Sequence, residues 1–145
     1  MYKITSMKVI TKRVRLGLSR ENDIVNITGR TSEAIEESKL ENGIITVFVA
    51  GSTAAITTIE YEPGLGHDFP EMLSRIAPKD IQYHHNRTWH DGNGHSHVRA
   101  SLVGPSLTIP FSNGDLIIGT WQQIVMLEMD TRPRERDIIL QILGE

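Results

Sequence analysis

The sequence contains no cysteine, which excludes disulfide bonds and thiolate metal sites. It also lacks any apolar run of the ~20 residues that a membrane-spanning helix needs, and residues 1–5 lack the apolar core of a signal peptide. The net charge is −3, and no basic stripe is interleaved with aromatic residues. We therefore expect a cytoplasmic protein that binds neither nucleic acid nor a membrane, and whose transition metals are held by histidine, carboxylate or water.

The composition that remains is ordinary for a globular chain, with 39% hydrophobic and 23% charged residues. A chain of 145 residues is long enough to bury a stable hydrophobic core without disulfide bonds. We find no internal repeat, low-complexity segment or linker in it. The sequence therefore predicts a single domain over residues 1–145.

Alternating and β-branched segments dominate the chain. They predict strands over residues 2–16, 23–28, 44–49, 54–60, 95–103, 106–110, 115–118, 121–129 and 136–143. One helix opens at residues 31–34 and a second begins at Asp68 and stops before Pro78, while residues 79–93 form a long loop. Because strands outnumber helices and their connections are short, the fold class is α+β, with mainly antiparallel sheets in a sandwich or barrel and two covering helices.

Residues 93–103 carry the most informative pattern, because a period of two divides them into two faces. One face is mostly apolar, and the other presents His95, His97, Arg99 and Ser101. Two histidines at i and i+2 of a strand lie roughly 7 Å apart, and their rotamers can bring both rings to one ion. The pattern predicts a strand with one face in the core and one face for chemistry.

Five of the six histidines lie between residues 84 and 97, which is more than a core needs. We select His85, His95 and His97 as the ligands of a zinc-type site whose fourth position is open to water or substrate. The alternative is a polar strand face with structural hydrogen bonds alone. Imidazole ligands suit zinc, nickel, copper or iron; zinc is our first choice, with Mg²⁺ an alternative beside a pyrophosphate.

Several other residues are candidates for anion binding. Arg99 follows the two histidines and could clamp a phosphate or form a salt bridge, and Ser101 could add a hydroxyl. Ser52 and Thr53 lie in a predicted turn after a buried strand, where hydroxyl and amide groups can cradle an anion. Tight-turn chemistry alone also explains that turn.

Two further residues complete the candidate set. Glu60 leaves a predicted strand and could act as a general base, and Trp121 could stack on a heteroaromatic ring. A solvated carboxylate and a core tryptophan are the alternatives. Glu128 and Asp130 end another strand and could likewise act as a base or bind Mg²⁺, although most such carboxylates are solvated. We expect the mixed-charge turn at residues 132–136 to be solvated.

Four motifs of the chain, in their order and spacing, resemble those of the YjbQ family. They are residues 83–86 (Tyr-His-His-Asn), 93–97 (Asn-Gly-His-Ser-His), 100–106 (Ala-Ser-Leu-Val-Gly-Pro-Ser) and 119–122 (Gly-Thr-Trp-Gln). The hydroxyl-rich segment 52–56 also looks like its counterpart in the family. The resemblance covers essentially the whole chain. One departure is Gly51, because many relatives carry a histidine there whose role cannot carry over.

The resemblance implies a compact α+β domain that assembles as a homotrimer and binds a metal through His85, His95 and His97. Members of the family are described as secondary thiamine-phosphate synthases. The implied reaction joins a hydroxymethylpyrimidine pyrophosphate to a thiazole phosphate and releases pyrophosphate. A metal and Arg99 would supply the positive charge that the leaving group needs, and Trp121 would offer a wall for the pyrimidine.

Two other functions stay open. The first is a metal hydrolase of a small phosphorylated or acylated metabolite, with Glu60 as its base, because a His₃ site with an open position generates hydroxide near neutral pH. The second is a non-catalytic trimer that binds an anionic metabolite. It predicts tight binding without turnover.

Overall fold

The computed structural model describes residues 6–145, which form antiparallel β-sheets and four α-helices. The strands are β1 (Lys8–Ser19), β2 (Ile24–Asn26), β3 (Gly43–Val49), β4 (Ala54–Glu60), β5 (Ser106–Ser112), β6 (Asp115–Leu116), β7 (Gln122–Glu128) and β8 (Arg134–Gly144). The helices are α1 (Thr28–Ser38), α2 (Pro63–Ile76), α3 (His84–Trp89) and α4 (Gly94–Val103). Among these residues, none of the helices is long and apolar enough to cross a membrane.

The larger sheet has five strands in the order β1-β8-β3-β5-β6. In β3 the residues Ile45, Val47 and Val49 are fully buried, while their neighbours along the strand are more exposed. This alternation arises because successive side chains of a strand point to opposite faces. Ile45 is paired with Ile109 of β5 on one side and Ile142 of β8 on the other, so three apolar side chains lie in register on the core face.

The smaller sheet has the order β2-β7-β4, with β7 in the centre. From Ile124 to Glu128 every residue of β7 is buried, which is typical of a strand covered on both faces. Ile56 of β4 is paired with Met126 of β7, and both belong to the main apolar core together with residues of the larger sheet. The pairing of Ala54 with Glu128 defines one end of this sheet, and that of Glu60 with Gln122 defines the other.

The α+β class with antiparallel sheets is confirmed. The prediction of two covering helices was too low, because the described residues form four helices. The strand predicted at residues 95–103 is wrong, because this segment is helix α4. α4 buries His95, Ser96, Arg99 and Ala100, which share one face at helical spacing, and it exposes the apolar Val98 and Leu102. The period of two was therefore an accident of sequence.

Two helix boundaries also differ from the predictions. α2 begins at Pro63 because the Glu62 carboxylate accepts hydrogen bonds from the backbone N–H groups of Gly64 and Leu65. α3 lies within the loop predicted at residues 79–93, and α1 begins at Thr28, before the predicted opening. The predicted strands otherwise correspond to observed ones with shifted ends, and residues 2–5 of the first lie outside the described residues.

Candidate functional site

A cavity of about 430 Å³ lies at the end of the smaller sheet where Ala54 pairs with Glu128. The turn that joins β3 to β4 contributes Gly51, Ser52 and Thr53 to its lining. Side chains from three other parts of the chain complete the lining, namely Asp91 and Asn93 before α4, His97 on α4, and Asp130, Arg134, Glu135 and Arg136 at the β7–β8 connection. The cavity therefore gathers histidine, carboxylate, hydroxyl and guanidinium groups.

His97 and His85 form a close pair beside this cavity. Their ring centroids are 4.3 Å apart and the ring planes are inclined by 53°. α3 and α4 can approach so closely because Gly94 has no side chain: a Cβ there would lie 2.5 Å from Cβ of Tyr83. The Gly94 N–H also donates to Oδ1 of Asn86 at 2.9 Å, which joins the two helices at this point.

The ring of His85 shares a polar neighbour with Asp91. The Nε2 atom of His85 lies 3.5 Å from Oδ1 of Asp91. In the orientation that hydrogen bonding favours, the amide nitrogen of Asn93 donates to Oδ1 of Asp91 at 2.9 Å and to Nε2 of His85 at 3.1 Å. An imidazole nitrogen and a carboxylate oxygen therefore point their lone pairs at the same place.

The electrostatic surroundings of His97 favour its neutral form. Burial lowers the pKa of His97, and the neighbouring charge of His85 lowers it further. The carboxylates of Asp91 and Asp130 and the backbone of Ser52 act in the opposite direction but do not outweigh these effects. A neutral imidazole has a free lone pair, so it is the form that binds metals.

Asp130 and Thr53 form the floor of the cavity. Thr53 Oγ1 donates to Asp130 Oδ2 at 3.0 Å and accepts from Arg136 Nη2 at 2.8 Å. Burial raises the pKa of Asp130, but the hydrogen bonds from Thr53 and Arg134 outweigh burial and hold that pKa at about 2. Asp130 is thus a fixed negative charge. The hydroxyl proton of Thr53 is donated to Asp130 and is not available to a ligand.

Glu128 and Arg136 form a buried ion pair directly behind Thr53. Arg136 Nε donates to Oε2 of Glu128 at 2.8 Å, and its Nη2 bonds the other carboxylate oxygen. Ser19 of β1 donates to Oε2 of Glu128 at 2.7 Å, so the pair links the two sheets. Glu128 and Asp130 are buried, which rules out the solvated alternative for them, and the expectation of a solvated turn at 132–136 is wrong for the buried Arg136.

The structure does not bring His95 to the other two selected histidines. His95 is fully buried, and its Nε2 lies 2.7 Å from Oε1 of Glu21 in the β1–β2 turn. Residues at i and i+2 of a helix point in widely different directions, which separates His95 from His97. In this chain the three rings therefore do not converge as the predicted strand would have allowed.

Arg99 lies with His95 in that buried cluster and not in the cavity. Its Nε donates to the carbonyl oxygen of Ala77 at 2.9 Å, and Nη1 is 3.9 Å from Glu21 Oε1. Lys79 completes the cluster with a bond of 2.8 Å to the other oxygen of Glu21. The Arg99 guanidinium therefore holds α4 against the end of α2, outside the cavity where the phosphate clamp was predicted.

The other sequence candidates are spread over three places, namely the cavity, helix α4 and the far end of the smaller sheet. Ser52 is exposed at the cavity, and Ser101 is exposed on α4. Glu60 lies at the far end of β4, and Trp121 directly precedes Gln122, the residue paired with Glu60. With about 3.3 Å per strand residue, that end is roughly 20 Å from the cavity. One chain therefore cannot place Glu60 or Trp121 beside His97.

A different group satisfies a simple geometric criterion for a metal site. Among residues 6–145, the three side chains whose ligand atoms all lie within 4.8 Å of one another are His67, Asp68 and Glu71. They lie in one exposed stretch of α2, where such groups are common without a metal. This trio is an alternative metal site, and any metal-binding experiment must distinguish it from the His85–His97 pair.

Sequence reasoning missed Asp91, Asn93, Arg134 and Arg136 as cavity residues. Asp91 and Asn93 flank a glycine, as turn residues often do. One signal was available for the helix that follows them: Asn93 precedes α4, and Gly104 and Pro105 follow it, which is the usual punctuation of a helix. No sequence signal distinguishes the buried Arg136 from its exposed neighbours.

Comparison with known proteins places these features in a family. Residues 12–145 match the family model described as UPF0047 protein YjbQ-like. A UPF0047 protein of Methanothermobacter thermautotrophicus is 40% identical over 139 residues, which cover 96% of this chain and 95% of that protein. A UPF0047 protein of Methanocaldococcus jannaschii is 35% identical and covers 92% of this chain and 94% of its own length.

Solved structures agree with the sequence comparison. A YbjQ-like protein of unknown function from Sulfolobus solfataricus has a TM-score of 0.90 and 36% identity, with coverage of 97% of this chain and 100% of that one. A hypothetical protein from Aeropyrum pernix has a TM-score of 0.86 and 34% identity, with coverage of 94% and 99%. At these levels both the fold and the family are established.

Proposed function

The chain belongs to the YjbQ-like UPF0047 family, and we propose that it is a metal-dependent transferase of the secondary thiamine-phosphate synthase type. The reaction would take place in the cavity beside His85 and His97. The observation that carries the proposal is the approach of these two rings to 4.3 Å beside a cavity of about 430 Å³. A cavity of that size accommodates a small phosphorylated molecule.

The donor types beside the cavity, two imidazoles and a carboxylate, suit a divalent metal. His85 and His97 would hold it together with Asp91, because Nε2 of His85 and the Asp91 carboxylate already converge on one hydrogen-bond donor, the amide nitrogen of Asn93. Nitrogen and oxygen ligands of this kind suit zinc, and Mg²⁺ would favour the carboxylate and the substrate phosphates. When bound, the metal supplies positive charge to a departing pyrophosphate.

The chain's own groups hold the reactants and fix charge. The lowered pKa of His97 keeps its ring neutral, and Asp130 stays ionised because Thr53 and Arg134 donate to it. Ser52 offers an exposed hydroxyl at the rim, next to the His97 ring. These groups orient a phosphorylated substrate without forming a covalent bond to it.

The chemistry needs no protein nucleophile. The thiazole nitrogen attacks the methylene carbon of the hydroxymethylpyrimidine pyrophosphate, a C–N bond forms, and the C–O bond to pyrophosphate breaks with its electron pair leaving on oxygen. The nitrogen carries no proton that a base must remove. The distance of Glu60 from the cavity is therefore compatible with this reaction, although Glu60 no longer has a role in it.

The test is a synthesis assay on purified protein with zinc or Mg²⁺. Thiamine phosphate should form from the two precursors, and His97→Ala should abolish its formation while His84→Ala should not, since His84 is exposed on α3. No product above a control without enzyme would refute the transferase.

A second candidate is a metal-dependent hydrolase of a phosphorylated or acylated metabolite. The observation that favours it is Asp91, a partly exposed carboxylate 3.5 Å from His85 Nε2. In this reaction Asp91 would act as the base in place of Glu60, and His85 and His97 alone would hold the metal. A screen of phosphate and lactone esters with and without chelator separates the two reactions. Tight binding without turnover in either assay would indicate the non-catalytic binder.

We also propose that the protein is a cytoplasmic homotrimer. Support for assembly comes from the outer face of the larger sheet, where Leu143 is paired with both Val9 and Ile44, and all three side chains are exposed. Exposed apolar side chains in register on one sheet face are typical of an interface between subunits. Light scattering on the purified protein measures its mass, and cell fractionation tests the location.

A further inference from the structure

We propose that Arg136 and Gly51 build a phosphoryl-binding subsite in the cavity, one that takes the place of the clamp predicted at Arg99. The inference deepens the proposed function and rests on it, because the subsite lies in the same cavity as His97. Its ligand is the phosphoryl group of a phosphate ester or a pyrophosphate.

The first observation is an unused part of the Arg136 guanidinium. Nε and Nη2 are fully engaged by Glu128 and Thr53, but Nη1 makes no hydrogen bond to any residue in the range 6–145. The side chain is only 7% exposed, and Arg136 lines the cavity. Nη1 is therefore a charged donor at the cavity wall that a ligand can reach and bind.

The second observation is the space that Gly51 leaves over this nitrogen. A Cβ at residue 51 would lie 2.7 Å from Nη1, closer than real Cβ contacts come. Gly51 is not among the glycines with positive φ, which are Gly92, Gly104 and Gly114. The backbone at this position therefore does not need glycine, and the absence of a side chain serves to keep Nη1 uncovered.

Arg136 cannot move aside to accommodate a larger residue. The two engaged nitrogens make four hydrogen bonds, two to the Glu128 carboxylate and two to Thr53, and Glu128 itself is fully buried. The guanidinium is thus preorganised, and its free edge offers N–H groups in a fixed direction. Such an edge suits the oxygens of a phosphoryl group.

A second cation completes the subsite. Arg134 lines the same cavity, and its Nε is held by Asp130 Oδ2 at 2.9 Å while 45% of the side chain is exposed. The Ser52 hydroxyl and the two guanidinium groups therefore line one cavity together with Gly51. Donors from several directions favour a tetrahedral dianion over a planar carboxylate.

The charge balance of the cavity predicts that this subsite depends on the metal. Glu128 offsets Arg136 and Asp130 offsets Arg134, while Asp91 and Glu135 add negative charge to the lining. Without a cation at His85 and His97, the net negative charge of the lining would therefore repel a dianion. Metal and phosphate should consequently increase each other's affinity by the same factor.

The experiment is calorimetric titration of inorganic phosphate into zinc-loaded, desalted protein. Wild-type protein should bind phosphate, and Gly51→Ala should weaken that binding about tenfold or more, since a charge-assisted hydrogen bond is lost. Zinc affinity of the variant should not change. The matched control is Gly29→Ala on α1, where a Cβ meets nothing within 4 Å. Acetate in place of phosphate should bind much more weakly.

The outcomes separate the two proposals. Wild-type protein that binds neither zinc nor Mg²⁺ contradicts the proposed function. Zinc binding with equal phosphate affinity in the wild type and in Gly51→Ala, or with no phosphate binding at all, overturns the subsite alone. Arg134→Gln, whose side chain is half exposed, is a second variant that should weaken phosphate without unfolding the chain.

Discussion

Gly94 and Tyr83 are in such close contact that a single added carbon would not fit between them: a Cβ on Gly94 would lie 2.5 Å from Cβ of Tyr83. Tyr83 immediately precedes α3, and Gly94 begins α4. This contact therefore determines how near the two helices can come, and with it the 4.3 Å separation of the His85 and His97 rings.

Gly94→Ala should push α4 away from α3 and weaken zinc binding at least about tenfold, the size of effect that is typical when a ligand's support is lost. Zinc calorimetry measures the change. Gly66→Ala on α2 is the control, because a Cβ there meets nothing within 4 Å. Equal zinc affinity in both variants would mean that the contact does not position the histidines.

Removal of either paired imidazole should abolish tight zinc binding, because each supplies one nitrogen ligand. We expect His85→Ala and His97→Ala to lose stoichiometric zinc after desalting, measured by metal analysis. His84→Ala should keep it, since His84 is exposed and has no place at the cavity. Zinc retained by both of the first two variants would exclude this site.

His95 should behave as a structural residue. Its ring is fully buried and pairs with Glu21, so His95→Ala leaves a cavity and removes the contact with Oε1 of Glu21. We expect the free energy of unfolding to fall by about 2–4 kcal/mol in urea titrations, with zinc stoichiometry retained. A variant of wild-type stability that has lost its zinc would instead make His95 a ligand.

The prediction of α4 as a strand shows where sequence patterns are insufficient. The pattern at residues 95–103 was read on the assumption that apolar side chains face the core. In the structure His95 and Arg99 are buried, where Nε2 of His95 pairs with Glu21 and Nε of Arg99 donates to the Ala77 carbonyl, whereas Val98 and Leu102 are exposed. Hydrogen-bond partners that are distant in sequence allow the polar side chains to be buried and the apolar ones to be exposed. No local sequence signal indicates those partners.

The sheets were predictable for the opposite reason. In β3 the side chains are β-branched or aromatic and alternate in burial, so the local preference and the tertiary surroundings agree. Of the three histidines selected as ligands, His85 and His97 lie side by side, and their metal binding stays a prediction. Arg136 was missed because only its contact with Glu128 distinguishes it from Arg134 or Arg132.

The free energy of unfolding should decrease at low pH because Asp130 becomes protonated. Its folded pKa of about 2 lies below the ordinary 3.8, so its stabilising contribution is complete above pH 3.8 and is lost as pH falls towards 2. The shift corresponds to about 2 kcal/mol. In urea titrations the stability difference between wild type and Asp130→Asn should therefore shrink by about that amount from pH 7 to pH 2.

The exposed Asp80→Asn is the control for this experiment, because Asp80 lies on the surface away from the cavity. Its stability difference from wild type should stay small at both pH values. A pH-independent difference for Asp130→Asn would show that Asp130 does not gain its charge-dependent stabilisation from Thr53 and Arg134.

The most direct test of the metal site is a crystal structure of the protein grown with zinc, with anomalous scattering recorded at the zinc edge. We predict a peak at about 2.0–2.1 Å from a ring nitrogen of His85 and of His97, next to the Asp91 carboxylate. A peak only at His67, Asp68 and Glu71, or no peak in the cavity at full zinc saturation, would contradict the assignment of the metal to this cavity.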